Sequence, residues 1–370
     1  MGAQQHLRAL TTFRIFAALW VVLFDYWHLL RPGPLPPVLA SGYLGVELFF
    51  VLSGFIICHV YLERYGSKDF SYRSFLWARL ARVYPLHVAI LAGLMVLLGA
   101  AALAGISAGD NLAVWSSVPA QLLLVQAWGA SPDGGWNHPA WSISAEWFAY
   151  VTFPLTAAVA WRLRDRPGMA VCAAIGFVVA ANAAYPLLGS GILTQATTVG
   201  GALRIVPCFL LGSAVYLLWR QRPLTSRAVA QWATIGASLA IVGATAARLP
   251  DATVVVLSGL LIFSMASLAS TGSSWMTSKA GVYLGEVSFS VYMVCIPYQL
   301  LFVEGARRLL HLSDGPLPFG IWLLLCAGII PAAMSLHHLV ERPARDLMRN
   351  WEKDGFPFPR MKTLVGSPSA

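Results

Sequence analysis

Hydrophobic stretches of about 20 residues recur along the chain, and short polar segments separate them. Because a helix rises about 1.5 Å per residue, about 20 apolar residues cross the hydrocarbon core of a bilayer. The pattern predicts ten transmembrane helices, at residues 10–30, 43–62, 77–103, 141–163, 168–187, 197–219, 229–247, 252–271, 281–304 and 318–340. The apolar stretch 111–128 is shorter and contains Pro119, so we interpret it as a packed or re-entrant segment.

The composition supports this interpretation. Hydrophobic residues make up 58% of the 370 positions and charged residues only 11%, whereas soluble proteins carry about 25% charged residues. The sequence therefore predicts an all-α, polytopic membrane protein with about ten transmembrane helices. We assign residues 1–341 to the transmembrane domain and residues 342–370 to a short cytoplasmic tail, and we expect a multi-pass protein of the plasma or inner membrane.

The net charge of +9 reflects membrane topology and not a nucleic-acid partner, because the basic residues concentrate in alternate loops and in the tail. The segments rich in basic residues contain, in chain order, Arg64, Lys68 and Arg73, then Arg162, Arg164 and Arg166, then Arg220, Arg222 and Arg227, and finally Arg342, Arg345, Arg349, Lys353, Arg360 and Lys362. The loops between them hold only Arg31, Arg248, Arg307 and Arg308. The positive-inside rule then places both termini in the cytoplasm and residues 104–140 outside.

The cysteines indicate neither a metal site nor a disulfide. All five fall in predicted spans, and none has the spacing of metal ligands. We therefore expect no bound metal, and the sequence carries no signal for an oligomeric state.

Two charged residues and a histidine interrupt the first predicted span. A charge at mid-bilayer costs about 2.5–3.5 kcal/mol on insertion scales, so such residues are usually functional. Arg14 and Asp25 are eleven residues apart, which places them on nearly the same helix face and about 16 Å apart along the axis. His28 lies one turn after Asp25, within reach of it. Asp25 is either neutralised by a structural partner or acts as an acid or base in a reaction chamber.

The segment ARLARVYP places Arg79 and Arg82 three residues apart, near the start of the third predicted span. Two guanidinium groups at this spacing share a helix face and can bind phosphate oxygens bidentately. The same pair could instead anchor the cytoplasmic end of the helix. Pro85 disturbs the helix and frees backbone groups, and His87 follows as a further candidate chamber residue.

A polar stripe follows two tryptophans in WNHPAWSISAEWFAY, residues 136–150. Ser142, Glu146 and Tyr150 repeat at every fourth position, so they share one helix face. His138 precedes this helix at its outer end. An aromatic belt at the membrane interface explains the tryptophans but not the stripe, so we interpret the stripe as part of a chamber.

Two further residues belong to the candidate chamber. Glu47 lies near the outer end of the second predicted span, and Arg204 lies within the span 197–219. Gly45 and Gly54 flank the region around Glu47 and allow close helix packing. A packing role for this segment therefore stands beside the catalytic one.

Five motifs, in this order and at this spacing, resemble those of the integral-membrane acyltransferases of acyltransferase family 3. They are GYLGVELFFVLSGF (42–55), ARLARVYP (78–85), WSISAEWFAYVTFP (141–154), LGEVSFSVYMVCIP (284–297) and VERPAR (340–345). Members of that family typically move an acyl group from cytoplasmic acyl-CoA to a hydroxyl of a carbohydrate or natural product. The resemblance implies acyl-CoA as co-substrate, no permanently bound cofactor, and a small-molecule or glycan acceptor. It also implies that Arg14, Arg79 and Arg82 bind the donor and that Glu146 lies in the reaction chamber.

The chain departs from the family pattern at two positions. The family usually has a histidine where this chain has Asp25, and often a second histidine where it has Cys295, which we count among the candidate chamber residues. Asp25 could itself be the general base, or His28 could take the proton while Asp25 orients it. Alternatively, a protonated Asp25 starts an isoprenoid cyclisation in an aromatic chamber that stabilises carbocations. A non-catalytic transport or binding relative is the fourth alternative.

Overall fold

The computed structural model describes residues 8–103, 114–131, 134–189, 191–272 and 277–353. These residues form twelve helices of ten residues or more and no strand. The helices are α1 (Arg8–Leu30), α2 (Gly45–Gly66), α3 (Tyr72–Leu103), α4 (Ala140–Val151), α5 (Phe153–Arg162), α6 (Pro167–Ala184), α7 (Gly201–Gln221), α8 (Arg227–Ala246), α9 (Asp251–Ser270), α10 (Lys279–Leu310), α11 (Phe319–Leu336) and α12 (Arg342–Lys353).

The number of spans agrees with the hydrophobic pattern. Within the described ranges, nine helices are long and apolar enough to cross a membrane, and the bent pair α4–α5 forms a tenth candidate. The two members of that pair meet at an angle of 55°. The break has a local cause, because Pro154 lies in the first turn of α5 and cannot donate the backbone hydrogen bond that a continuous helix needs. The prediction of an all-α protein with about ten spans is confirmed.

The described part of the apolar stretch before α4 contains no helix long enough to span a membrane. Its described part forms the short helical turns Trp115–Ser117, Val118–Leu122 and Gln126–Ala130. Leu124 and Ala127 are buried against the bundle. The interpretation of a packed segment is confirmed for residues 114–128, while residues 111–113 lie outside the described ranges.

Small residues bring three helices into backbone contact at the centre of the bundle. A Cβ atom at Gly54 of α2 would collide with the backbone of Phe209 in α7, and one at Gly212 would collide with the carbonyl of Val51. Gly45 packs in the same way against α1, at the carbonyl of Ala17. Close backbone approach through glycine is a common way to pack helices in a membrane, so the predicted packing role of this segment is confirmed.

The amphipathic helix α12 lies where the predicted tail begins. It packs against α3, and the indole Nε1 of Trp77 donates to the carbonyl of Met348 at 2.8 Å. The predicted tail therefore starts with an ordered helix, and its last part, residues 354–370, lies outside the described ranges.

Polar contacts show which loops share a face of the bundle. Glu63 at the end of α2 pairs with Arg220 at the end of α7 at 2.5 Å. Gln221 donates to the backbone carbonyl of Arg164 in the loop after α5. The basic loops after α2, α5 and α7 therefore lie on one face, which we call the basic face.

The opposite face collects the loops with few basic residues. The hydroxyl of Tyr43, just before α2, donates to Asp251 at the start of α9 at 2.8 Å. The amide of Leu317, just before α11, donates to the carbonyl of Leu29 near the end of α1 at 2.7 Å. This arrangement agrees with the predicted alternation of loops, and the cytoplasmic location of the basic face stays a prediction.

Single cysteines can test the orientation in a background without the five native cysteines. We expect Arg64→Cys and Arg164→Cys to react with an impermeant maleimide only from the cytoplasmic side, and Asp133→Cys only from outside, because basic loops stay inside. The measurement is labelling of intact cells and of inverted vesicles, with permeabilised cells as the control for total reactivity. Labelling of Asp133→Cys only from the cytoplasm would reverse the topology.

Candidate active site

A cavity of about 250 Å³ lies between α1, α2, α3, α4 and α10. Arg14, Arg79, Arg82 and Glu146 line it, so three guanidinium groups share the cavity with one carboxylate. We call it the arginine cavity. The excess of positive charge on its wall favours the binding of an anion.

The three arginines have no direct ion-pair partner in the described structure, although the charge of Glu146 in the same cavity acts on Arg14. Within the described part of the chain, none of them forms an ion pair with a carboxylate. The guanidinium carbon of Arg14 lies 5.9 Å from the ring centroid of Phe49, and that of Arg79 lies 5.6 Å from the ring of Tyr61. Arg79 also donates to the Tyr61 hydroxyl at 3.4 Å, and its buried Nε has no partner in the described structure. Aromatic faces hold these cations and leave N–H groups available for a ligand.

The predicted stripe on α4 faces the arginine cavity. All three residues of the stripe line this cavity, namely Ser142, Glu146 and Tyr150, as their spacing of four positions predicted. The Oε1 atom of Glu146 accepts hydrogen bonds from the hydroxyls of Tyr150 at 2.5 Å and of Ser53 at 2.9 Å. These two donors fix the carboxylate in position. Sequence analysis missed Ser53, although it belongs to the LSGF end of the second-helix motif.

A second cavity, of about 460 Å³, lies towards the opposite face. Asp25, His138 and Arg204 line it, and we call it the Asp25 cavity. Its aromatic lining consists of Phe24, Tyr43, Trp141 and Tyr292.

The two cavities meet at a thin partition. Val46 and Tyr292 line both of them. Arg14 and Asp25, which the sequence places on one face of α1, therefore lie on opposite sides of this partition. A ligand in the arginine cavity and another in the Asp25 cavity would approach each other at these two side chains.

Asp25 and Cys295 are neighbours in space. The Sγ atom of Cys295 lies 3.9 Å from Oδ2 of Asp25 and donates to the carbonyl of Tyr292 at 3.1 Å. The thiol is buried and does not line either cavity. The two departures from the family pattern thus fall at one place in the fold, where α1 meets α10.

Four predicted site residues line neither cavity: the catalytic candidate His28 and the chamber candidates His87, Glu47 and Cys295. His28 is exposed, lines neither cavity, and forms no hydrogen bond with Asp25 in the described structure, so the displaced dyad is not assembled. His87 is buried and its Nε2 donates to the carbonyl of Gln121 at 2.9 Å. The interpretation of His87 as a chamber residue is corrected, because its ring ties α3 to the segment before α4.

Glu47 and Arg204 form a buried, bidentate ion pair. Nε of Arg204 lies 2.5 Å from Oε1 of Glu47, and Nη2 lies 2.8 Å from Oε2. The side chains are 0% and 2% exposed, respectively. Arg204 also donates to the carbonyl of Ala196 at 3.1 Å and stacks on Trp141 at 4.5 Å. Glu47 therefore joins α2 to α7 without lining a cavity, whereas Arg204 forms part of the wall of the Asp25 cavity.

The two last motifs of the sequence meet at Glu341. Its Oε2 atom accepts hydrogen bonds from Ser290 of α10 at 2.7 Å and from Nδ1 of His337 at 2.9 Å. Arg345 of α12 lies 3.7 Å from Oε1. Together these contacts fix the start of α12 against α10, so Ser290 and the last motif serve packing, whereas Tyr292 of the α10 motif lines both cavities.

The fold and the two cavities define a polytopic membrane protein with a chamber on either side of a thin partition. The family model described as an acyltransferase domain, acyltransferase family 3, matches residues 7–338. The chain belongs to this family of membrane acyltransferases.

Two curated proteins are similar to the chain. Acyltransferase MdmB of Streptomyces mycarofaciens is 30% identical over 337 residues, which cover 83% of this chain and 82% of that protein. Protein 2 in the picA locus of Rhizobium radiobacter is 49% identical over 53 residues, which cover 14% of this chain and 28% of that protein. No solved structure matches the chain.

Replacement of Glu47 by Gln tests the buried ion pair. We expect Glu47→Gln to lower the free energy of unfolding by about 3–5 kcal/mol, because the Arg204 cation stays buried without its anion. The control is Glu63→Gln, which removes the exposed pair with Arg220 and should cost at most about 1 kcal/mol. Reversible unfolding in mixed micelles measures both variants. Equal effects of the two substitutions would contradict the structural role of Glu47.

Proposed function

We propose that the protein transfers an acyl group from acyl-CoA, bound at the arginine cavity, to a hydroxyl of a small-molecule or glycan acceptor in the Asp25 cavity. The observation that carries this proposal is the meeting of the two cavities at Val46 and Tyr292. It would give two substrates separate cavities and one point of contact. Family membership and the similarity to an acyltransferase support the same reaction class.

The arginine cavity has the chemistry of a phosphate site. Guanidinium groups bind phosphate oxygens through bidentate, charge-assisted hydrogen bonds, and CoA carries a diphosphate and a further phosphate. Arg349 of α12 is exposed and lies within electrostatic range of Arg79 and Arg82. It extends the positive surface onto the basic face, from which a cytoplasmic donor would enter.

The reaction needs a group that takes a proton. The acceptor oxygen attacks the thioester carbonyl carbon, the C–S bond breaks, and the hydroxyl proton moves through a base to the departing thiolate. Asp25 occupies the position where the family usually has a histidine, and it lines the cavity proposed for the acceptor. We therefore assign it to the acid–base chemistry of the site.

One observation favours a second candidate function. Asp25 lies among the rings of Phe24, Tyr43, Trp141 and Tyr292, and aromatic rings stabilise cations. Protonation of an isoprenoid by Asp25, followed by cyclisation, would use this arrangement. That reaction gives no role to the unpaired arginines, so acyl transfer is the better match. A transporter would need an open path past Val46 and Tyr292.

The donor site can be tested with an arginine pair and a matched control. We expect Arg79→Gln combined with Arg82→Gln to raise the Kd of CoA at least tenfold, because one charge-assisted hydrogen bond contributes about 1.5–3 kcal/mol and about 1.4 kcal/mol is tenfold. Arg73→Gln, an exposed residue of the same helix that lines neither cavity, is the control. Calorimetry on the purified protein gives both affinities. An unchanged affinity in the double variant would reduce the pair to membrane anchors.

The role of Asp25 can be tested with two substitutions. Asp25→Asn keeps the size of the side chain but can neither carry the negative charge nor take a proton, so we expect turnover to fall about 10²–10⁴-fold. The free energy of unfolding should change by no more than about 1–2 kcal/mol, the range of ordinary substitutions. Full activity of Asp25→Asn would show that the acid is only a structural partner.

Asp25→His separates the two candidate functions. Histidine has an ordinary pKa of about 6.5 and suits a general base, so we expect it to restore part of the acyl-transfer activity lost in Asp25→Asn. A cyclisation that needs a strong acid would stay inactive in this variant. The measurement compares acyl-CoA consumption by the two variants at the same expression level.

A further inference from the structure

The segment that carries His138 is anchored to α10 on both sides of the histidine. The side chain of Asn137 donates to the carbonyl of Met293 at 2.9 Å. The carbonyl of Pro139 accepts a hydrogen bond from the Tyr292 hydroxyl at 3.1 Å. His138 is therefore held next to Tyr292, one of the two residues of the partition.

The same segment holds a strained backbone conformation. Trp136 has φ of 57°, a left-handed value that a bulky residue rarely adopts. Its buried ring and the hydrogen bond from Nε1 to the carbonyl of Val114 at 3.0 Å maintain that conformation. Strain of this kind costs about 1–3 kcal/mol and concentrates at functional sites.

The imidazole of His138 faces the Asp25 cavity. Its neighbours Asn137 and Pro139 are buried, whereas the histidine side chain is exposed to the cavity that it lines with Asp25. The backbone is thus fixed and the ring is accessible to a ligand. This is the arrangement expected of a group that must meet a substrate in a defined position.

The surroundings of His138 favour its neutral imidazole. Although the ring faces the cavity, the surrounding protein displaces much of its water, and this desolvation, followed by the positive charge of Arg204, lowers the pKa of His138 below its ordinary value of 6.5. A neutral ring at pH 7 can accept a proton. Several titratable or charged groups face the cavity or bind a residue of its wall. They are Asp25 of α1, Tyr43 before α2, Glu47 of α2, Arg204 of α7, Asp251 of α9, and Tyr292 and Cys295 of α10.

We propose that His138 is the proton acceptor of the acyl transfer and that Asp25, across the same cavity, stabilises the imidazolium that forms. The proposal rests on the acyl-transfer function proposed above. The acceptor hydroxyl gives its proton to a ring nitrogen of His138 while its oxygen bonds to the thioester carbon. When the C–S bond breaks, the imidazolium returns the proton to the CoA thiolate. A histidine from the segment before α4 thus replaces the histidine that α1 lacks.

A pair of histidine variants tests the proposal. Turnover is measured as free CoA formed from acetyl-CoA by the full-length protein in nanodiscs, with methyl α-glucoside as the hydroxyl probe and water as the baseline acceptor. We expect His138→Gln to lower this rate about 10²–10⁴-fold, while the affinity for CoA stays within twofold. His28→Gln, which changes an exposed histidine outside both cavities, should keep the wild-type rate.

The double variant and the pH profile distinguish a catalytic role from a structural one. If His138 and Asp25 act as one unit, His138→Gln combined with Asp25→Asn should be no slower than either single variant. The wild-type rate should be constant at neutral pH and fall as the pH drops through the His138 pKa, which lies below 6.5. This acidic limb should be absent in His138→Gln.

Chemical modification gives a readout that needs no acceptor. Diethyl pyrocarbonate reacts with neutral imidazole, so the modification of His138, followed by mass spectrometry, should have its pH midpoint below 6.5. A midpoint at or above that value overturns the proposal, and so does a His138→Gln variant with wild-type turnover. No CoA release by the wild-type protein would instead overturn the acyl-transfer function, on which this proposal rests.

Discussion

The buried ion pair between Glu47 and Arg204 is the interaction on which the geometry of both cavities depends. It joins α2 to α7 at 2.5 Å, with both side chains removed from solvent. Removing either partner would leave a charge without compensation in a region where charges are expensive. The pair also holds Arg204 against Trp141. Trp141 lies in the first turn of α4, directly before the polar stripe of Ser142, Glu146 and Tyr150. Val46, next to Glu47, is thereby held in the partition.

Charge compensation separates structural from functional groups in this protein. Glu47 is neutralised by Arg204, and Glu341 is held by Ser290 and His337. Arg14, Arg79 and Arg82 have no carboxylate partner in the described structure, and they share one cavity. One carboxylate, Glu146, faces three cations in this cavity, so positive charge is in excess there. A polyanionic ligand can compensate that excess, which supports the proposed location of the donor phosphates.

The sequence predicts faces of helices better than it predicts neighbours. Periodicity placed Ser142, Glu146 and Tyr150 on one face, and the structure confirms that this face lines a cavity. Periodicity could not show that Glu47 would meet Arg204, because the partners are 157 positions apart and the pairing depends on how α2 packs on α7. The prediction that His87 lines a chamber failed for the same reason, because the carbonyl that binds its ring belongs to Gln121, outside α3. Hydrophobicity predicted the spans because the bilayer imposes a length on each helix.

Asp25, which stands on α1 where the family usually has a histidine, changes the chemistry of the Asp25 cavity and not the packing of the helices around it. Asp25 and Cys295 contact each other. The two residues that depart from the family pattern therefore lie together where α1 meets α10. A carboxylate there adds negative charge to a cavity that already contains the Arg204 cation, and this charge suits an imidazolium or another transient cation. His138 is anchored to the same helix, α10, through Asn137. The helix α10, which carries Cys295, therefore also positions His138, the proton acceptor proposed above.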